Sequence, residues 1–227
     1  MISKSERLLI FRFLFSKKSD GYVSIFAWFS IIGISLGVAA IIIVMSVMNG
    51  FRIDLTNRII GLNSHLNIYS FDNEITNKQA DELILNIDNS FFYQHYKSIE
   101  TNGLIIKSNN SKGVMIKGYD EYDKNHYLFN SINMGALIQN PKSEILIGDS
   151  LANEMNLSVG DKVKIAIPKT DKTILGNIPR FKTLEVVGVF DLGLYEYDSN
   201  LIFLSSELVR KLLLYDEDIY NLSLIHI

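Results

Sequence analysis

The stretch from Tyr22 to Met48 constrains the fold of this chain more than any other. No charged residue occurs between Asp20 and Arg52. As a helix, the apolar part from Ile25 to Met48 would be about 36 Å long, which exceeds the roughly 30 Å of a membrane hydrocarbon core. A buried helix of a soluble protein is the alternative, but such a helix keeps a polar stripe. The sequence therefore predicts a transmembrane helix over residues 22–48.

The charges on either side of this helix predict its orientation. Residues 1–21 carry five basic and two acidic side chains, whereas the rest of the chain carries 17 basic and 23 acidic ones. Because cationic flanks stay on the cytoplasmic side, we expect residues 1–21 inside the cell, as a short amphipathic helix along the inner leaflet, and everything after Met48 outside. A cleaved signal peptide is the alternative, but the apolar stretch is too long and MSVMNGF offers no small-residue cleavage pattern.

Small residues within the apolar stretch favour close packing against another helix. Gly33 and Gly37 form a GxxxG pattern, so both are candidate helix-packing residues. After the membrane span, Asn49-Gly50 is expected to loosen the helix. Residues 51–60 then resume a helical period, which predicts an amphipathic stalk over residues 49–61 that Gly61 ends.

The remaining region, residues 62–227, has the pattern of a mixed α and β domain. Alternating apolar residues predict strands over 65–70, 98–108, 113–119, 144–147, 162–167, 184–190 and 201–204. Helices are expected over 76–87, 149–155 and 205–214, with Thr76, Asp149 and Ser205 or Ser206 as their N-caps. Since strands and helices do not alternate regularly, we expect an α+β domain, with a mainly antiparallel sheet, on an N-terminal transmembrane helix.

A twelve-residue segment, Pro168–Pro179, separates two of the predicted strands, although a two-residue turn would join them. Long excursions of this kind lose loop entropy on folding and are often functional. Two interpretations are open. The segment either folds back and buries Ile174 and Leu175, or it projects as a hairpin whose apolar tip contacts another protein.

Patterns for catalysis, metals and nucleic acids are absent from the sequence. The four histidines are scattered without a second ligand at metal spacing, and there is no GxSxG, Walker A or GxGxxG motif. There is no cysteine, so the chain has neither disulfides nor thiol chemistry. The acidic outer region argues against nucleic-acid binding. We therefore expect no catalytic residue, no metal and no cofactor.

Three segments together carry a family resemblance. They are SIFAWFSIIGISLGVAAIIIVMSVMNGFRIDLTNRIIGLNSHLNIYS, EILIGDSLANEMNLSVGDKVKIAIP and GNIPRFKTLEVVGVFDLGLYEYD. In these segments the chain resembles the lipoprotein-releasing ABC transporter permeases of the LolC/LolE family, whose outer part is a MacB-like periplasmic core domain. The resemblance covers nearly all of the 227 residues.

The resemblance implies that the protein is located in the bacterial inner membrane and takes part in lipoprotein transport. Members have an N-terminal transmembrane helix, a periplasmic domain and three further membrane helices, and they work with a second permease copy or homologue. A separate cytoplasmic ATPase subunit drives a motion that passes through the first helix and stalk. That motion lifts lipoprotein substrates out of the membrane lipid and hands them to a periplasmic lipoprotein carrier. We accordingly expect the chain to continue past residue 221, because Leu222–Ile227 resembles a translated adapter sequence.

The resemblance also assigns residues to carrier binding. In LolC-type members a hairpin called the hook grips the carrier, and a neighbouring basic surface called the pad supports it. By position, the candidate hook residues are Pro168, Ile174, Leu175, Gly176, Ile178 and Pro179, and the candidate pad residues are Lys164, Arg180 and Lys182. The sequence departs from the family pattern because the loop is one residue shorter and Phe181 replaces a polar pad residue. The hook favours a LolC-type or a single-gene hybrid permease over a LolE type.

Two other functions are open at this point. The first is another MacB- or FtsX-type mechanotransmitting permease, which exports a toxin or regulates cell-wall hydrolases; the hook segment argues against it. The second is a single-pass, membrane-anchored periplasmic binding or scaffold protein, which would need no ATPase and no further membrane helices.

Overall fold

A computed structural model of the protein describes most of the chain. The described residues are 3–14, 21–69, 75–85, 94–119, 127–173, 176–216 and 219–226. They divide into two compact units, Met1–Thr56 and Asn57–Ile227.

The first unit consists of helix α1 (Lys4–Leu14) and most of helix α2 (Gly21–Asn63). Within the described part of the chain, α2 is the one helix that is long and apolar enough to cross a membrane. The predicted membrane span lies inside it. The loosening expected at Asn49-Gly50 was wrong, because α2 continues through both residues and holds 43 residues without a break.

The end of α2 also differs from the prediction, since the helix passes Gly61 and ends at Asn63. A glycine weakens a helix by only about 1 kcal/mol, which tertiary contacts can offset. Here Leu62 is buried, with 1% of its surface exposed. The chain turns at Ser64, which has a left-handed backbone (φ 63°) and whose N–H donates to Ile60 O at 2.8 Å.

The second unit is an α+β domain. Its strands are β1 (Leu66–Ile68), β2 (Ile75–Thr76), β3 (Gln94–Lys107), β4 (Asn110–Tyr119), β5 (Ile132–Gly135), β6 (Glu144–Gly148), β7 (Lys162–Thr173), β8 (Gly176–Phe190), β9 (Leu201–Ser205), β10 (Ile219–Tyr220) and β11 (Leu222–His226). Its further helices are α3 (Asn77–Leu85), α4 (Tyr127–Asn130), α5 (Asp149–Met155), α6 (Tyr195–Asn200) and α7 (Ser206–Leu213). Among the described strands, all pairings except β4–β9 and β6–β8 are antiparallel. The predicted α+β fold with a mainly antiparallel sheet is confirmed.

The large sheet closes on itself. Strands β3, β4, β9, β6, β8 and β7 pair in that order, and β7 pairs again with β3. Alternate residues of β9 separate the two faces of this ring: Ile202 and Leu204 pack with α5 and α7 on one side, whereas Leu201 and Phe203 pack with Leu62 on the other. Two apolar clusters therefore cover the sheet from opposite sides.

Local signals predicted most of the remaining elements. Strands β3 and β4 form the expected hairpin, with a turn at Ser108-Asn109. Ser205 Oγ accepts the N–H of Leu208, which confirms a cap for α7. The cap expected at Asp149 was wrong: Gly148 is the N-cap of α5. A Cβ atom at Gly148 would lie 2.1 Å from Asp198 O, so the close approach of this backbone decides which residue precedes the helix.

Candidate functional site

The segment Pro168–Pro179, called the β-ribbon below, extends the β7–β8 hairpin beyond the sheet. Register in the sheet ends with Ile167 opposite Arg180, and it resumes with Thr170 opposite Pro179 after a bulge in β7. In the described part of the chain, the ribbon pairs with no third strand. Strand β3 reaches β7 only at residues 164–166, and β6 reaches β8 from Glu185 onward.

The backbone of the predicted hook is thus a two-stranded extension rather than an irregular loop. Gly176, Ile178 and Pro179 lie on its β8 arm, and Pro168 begins its β7 arm. The predicted tip residues Ile174 and Leu175 lie outside the described residues. The carrier contacts of all six hook candidates stay predictions.

The three cations of the predicted pad do not share one face of the hairpin. Directly opposed residues of an antiparallel pair point to the same side. Lys164 lies opposite Thr183, whereas Arg180 and Lys182 lie opposite the buried Ile167 and Ile165. Lys164 is therefore on one face, and Arg180 and Lys182 are together on the other.

Further contacts separate the members of the pad. Arg180 Nη1 donates to Lys211 O at 3.2 Å, so its guanidinium lies at the last turn of α7, where the helix dipole favours a cation. Phe181, which is 55% exposed, lies opposite Ala166 and thus shares the face of Lys164. This aromatic ring does not interrupt the surface formed by Arg180 and Lys182.

The two glycines of the GxxxG pattern lie on an open surface of α2. A Cβ atom added at Gly33 or Gly37 would have no described atom within 4 Å. Either position could therefore take a larger side chain without a clash inside the chain itself. Their role in packing against another helix stays a prediction.

The last residue of α2 is held by a buried polar network. Lys117 Nζ lies 2.7 Å from Asn63 Oδ1 and 2.7 Å from Glu100 Oε1, and the lysine side chain is only 2% exposed. Asn63 Nδ2 donates to Tyr197 Oη at 2.8 Å. Both ends of the Asn63 amide are thus fixed, one by strand β4 and the other by helix α6.

A second contact is made one turn earlier in the helix. Arg58 Nη1 donates to Leu192 O at 2.9 Å. The loop that presents this carbonyl is shaped by Asp198, whose two carboxylate oxygens accept the N–H groups of Leu192 and Leu194 at 2.8 and 3.0 Å. Burial raises the pKa of Asp198, while these two hydrogen bonds partly oppose the rise.

An apolar contact completes this attachment. Leu62 packs into the cluster that contains Leu192, Phe190 and Phe203, and the rings of Phe190 and Phe203 meet edge to face with centroids 5.1 Å apart. We call these contacts of Arg58, Leu62 and Asn63 with Lys117, Leu192 and Tyr197 the helix-end joint.

The sequence analysis did not single out the helix-end joint. A lysine between Ile116 and Gly118 in an apolar strand was a possible signal, because a buried lysine requires a partner. Its two partners are 54 and 17 residues away in the sequence, so no local pattern could name them.

Among the residues described, no three His, Asp or Glu side chains are grouped so as to hold a metal ion. Lys117 is paired with Glu100, and both carboxylate oxygens of Asp198 accept backbone hydrogen bonds. The contacts at the joint hold the end of α2.

Comparison with known proteins gives a family and its relatives. The MacB-like periplasmic core domain family matches residues 27–223. The lipoprotein-releasing system transmembrane protein LolC of Neisseria meningitidis is 29% identical over 218 residues, which cover 94% of this chain and 52% of that protein. The corresponding LolE of Haemophilus influenzae is 26% identical over 198 residues, covering 84% and 48%. The chain spans about half the length of the curated relatives it matches.

Among solved structures, the periplasmic region of MacB from Actinobacillus actinomycetemcomitans has a TM-score of 0.47 and 13% identity, covering 74% of this chain and 77% of that one. The match to the family covers the end of the long helix and the α+β domain together. The resemblance predicted from the three sequence segments is confirmed. The chain belongs to the MacB-like periplasmic core domain family.

Proposed function

We propose that this chain is part of the permease subunit of an inner-membrane ABC transporter, which extracts lipoproteins from the membrane and passes them to a periplasmic carrier. Its relatives named LolC support this assignment, as does the long apolar helix α2. In this proposal the basic residues 1–21 are cytoplasmic and the α+β domain is periplasmic. ATP hydrolysis belongs to a separate cytoplasmic subunit.

The observation that carries the proposal is the β-ribbon. A hairpin that extends past its sheet offers strand edges and a tip to a partner. Arg180 and Lys182 lie together on one face at its base, and cations there would steer an acidic carrier surface. Lys164 lies on the opposite face of the hairpin and would contact the carrier from that side. The ribbon is accordingly the carrier-binding hook of a LolC-type or single-gene hybrid permease.

The open surface around Gly33 and Gly37 supports a membrane partner. Small residues four positions apart allow a second helix to approach closely, and no described part of this chain fills that space. We assign this surface to a helix of the same permease or of a second permease copy.

Photocrosslinking from the ribbon tip tests the proposal. A photoreactive residue replaces Leu175 in the full-length protein, which is expressed with its ATPase and the periplasmic carrier. We expect a covalent adduct with the carrier. The adduct should disappear when Ile174 is also changed to Asp, because a charged residue at the tip does not enter an apolar pocket.

The matched control places the same photoreactive residue at Asn109, in the exposed turn of the β3–β4 hairpin. No carrier adduct is expected there. A protein that copurifies with the ATPase but gives no adduct from Leu175 would be a mechanotransmitting permease with another client. A protein that binds neither partner would be a membrane-anchored scaffold.

A further inference from the structure

We propose that the helix-end joint passes movement of α2 into strand β8, and that β8 carries this movement to the β-ribbon. Arg58, Asn63 and Lys117 are then positioning residues for lipoprotein release. This inference rests on the proposed function, which it deepens by naming the side chains and the strand through which the two ends of the domain are coupled.

The joint holds the helix from three separate elements. Strand β4 contributes Lys117, helix α6 contributes Tyr197, and the loop after β8 contributes Leu192. Contacts from three elements hold residues 58–63 more firmly than a single contact would. The last two turns of α2 must therefore move together with the sheet or separate from it.

Separation is unfavourable because Lys117 is buried and its partner Asn63, like Arg58 and Tyr197, is half-buried. Lys117 is almost fully enclosed, and Asn63 uses its carbonyl for Lys117 and its amide for Tyr197. Groups such as these lose free energy when they are left unpaired away from water. Breaking these hydrogen bonds therefore costs free energy. We expect the joint either to stay fully bonded or to open as a unit.

Strand β8 connects the joint directly to the ribbon. It runs from Gly176 to Phe190 with one bulge at Val187, where its register with β6 shifts, and Leu192, the partner of Arg58, follows two residues later. At 3.3 Å per residue this strand is about 46 Å long. Its neighbours β7, β6 and β5 hold it along most of that length. A displacement at Leu192 is therefore transmitted along a supported strand.

Two glycines provide a matched pair of variants. Gly193 has φ 68°, and a Cβ atom there would lie 2.0 Å from Arg58 Nη1. Gly193→Ala therefore displaces the guanidinium from the joint. Gly160 has φ 94° with no atom within 4 Å of an added Cβ, so Gly160→Ala introduces the same kind of backbone strain without touching Arg58.

The experiment measures ATP hydrolysis and lipoprotein release by the complete transporter in membranes. For Gly193→Ala we expect release per ATP to fall about tenfold while ATP hydrolysis stays within about twofold. Gly160→Ala should keep the wild-type ratio. If lipoprotein release per ATP is equal in Gly193→Ala and Gly160→Ala, the proposal is overturned, because backbone strain alone would then account for the result.

A cysteine pair keeps the proposal testable if Gly193→Ala folds poorly. The sequence contains no cysteine, so Arg58→Cys with Gly193→Cys gives one reactive pair at the accessible edge of the joint. We expect low release per ATP before a short bis-maleimide links the pair and recovery afterwards. If release per ATP stays low after complete crosslinking, coupling through the joint is contradicted. A defect that comes only from poor folding would not be repaired by a covalent link between these two residues.

A readout that needs no lipoprotein separates this inference from the proposed function. Hydrogen exchange reports the amides of residues 60–64, where the N–H of Ser64 donates to Ile60 O. We expect faster exchange there in Gly193→Ala than in Gly160→Ala. Equal amide exchange rates in the two variants would overturn the proposed role of the joint. A wild-type transporter that releases no lipoprotein would overturn the proposed function alone.

Discussion

The helix-end joint and the β-ribbon differ in how the fold supports them. At the joint, side chains from a strand, a loop and a helix meet α2, and a buried lysine is paired with an asparagine and a glutamate. The ribbon consists of two arms that pair with each other and, among the described strands, with nothing else. The joint is held by residues that are distant in the sequence, whereas the ribbon is held by pairing within one hairpin.

This difference follows from the burial of polar groups. Buried ion pairs add little net stability compared with apolar residues, but they specify one geometry because misplaced charges are unfavourable. The joint is thus suited to hold a helix in a defined position. The described backbone pairing of the ribbon, by contrast, lies within one hairpin.

The largest expected effect is at the joint. Lys117→Ala removes the cation from Glu100, whose side chain is 25% exposed, and one donor from Asn63. We expect a loss of about 2 kcal/mol in the free energy of unfolding, because the buried asparagine oxygen loses its partner and the lysine stem leaves a void. Thermal unfolding of the whole protein in nanodiscs measures this loss of stability.

The control for this change is Lys211→Ala, which breaks the exposed Lys211–Glu207 pair of α7, with 61% and 42% of the side chains exposed. Exposed pairs of this kind add little to stability, so we expect a much smaller loss than in Lys117→Ala. Similar losses in the two variants would show that the joint is not a special point of the fold.

A smaller effect on stability is expected at the ribbon. Replacing Pro168–Pro179 by Asn-Gly joins Ile167 to Arg180, which already face each other in register. The replacement should change the free energy of unfolding by less than about 1 kcal/mol, because no other described strand depends on the ribbon. Carrier binding, measured by copurification, should be lost. A melting temperature lowered as far as in Lys117→Ala would contradict the contrast between the two regions.

The smallest effect is a pH dependence at the loop of the joint. Burial, and to a lesser extent the neighbouring Asp191, raise the pKa of Asp198 above its ordinary value of 3.8. The folded state then binds the proton more tightly, so this contribution to stability is full below that value and is lost as the pH rises through the raised pKa. Relative to Asp198→Asn, wild type should gain about 2 °C between pH 7 and pH 4.

Glu207→Gln is the control with the opposite sign. Its hydrogen bond to Lys211 lowers the pKa of Glu207 below 4.5, so its contribution is present above that value and is lost as the pH falls through the lowered pKa. Melting curves from pH 3 to pH 7 should show the two differences moving in opposite directions. A shift of the same sign for both variants would exclude burial as the cause at Asp198.

Patterns of short range were sufficient for much of the fold. The uncharged run predicted α2, the alternation of apolar residues predicted most strands, and Ser205 predicted the start of α7. Each of these signals lies within a few residues of the element that it specifies. Local patterns left open whether the ribbon folds back or projects, and the pairing of β7 with β8 shows a two-stranded extension.

The features that local patterns did not predict depend on residues that are distant in the sequence. Helix α2 passes Gly61 because Leu62 and Asn63 are held by side chains from β4 and α6. The pad could not be divided between two faces until the register of β7 against β8 was known. Closure of the sheet through β3 and β7 has no local signal at all.

The bulge after Ile167 has a consequence for the evolution of this family. Side chains alternate with a period of two along a strand, so a one-residue insertion in a regular hairpin turns every following side chain to the wrong face. A bulge absorbs such a change, because the register already shifts at that point. Proteins of this family can therefore vary the length of the ribbon while the closed sheet keeps its pattern of apolar residues.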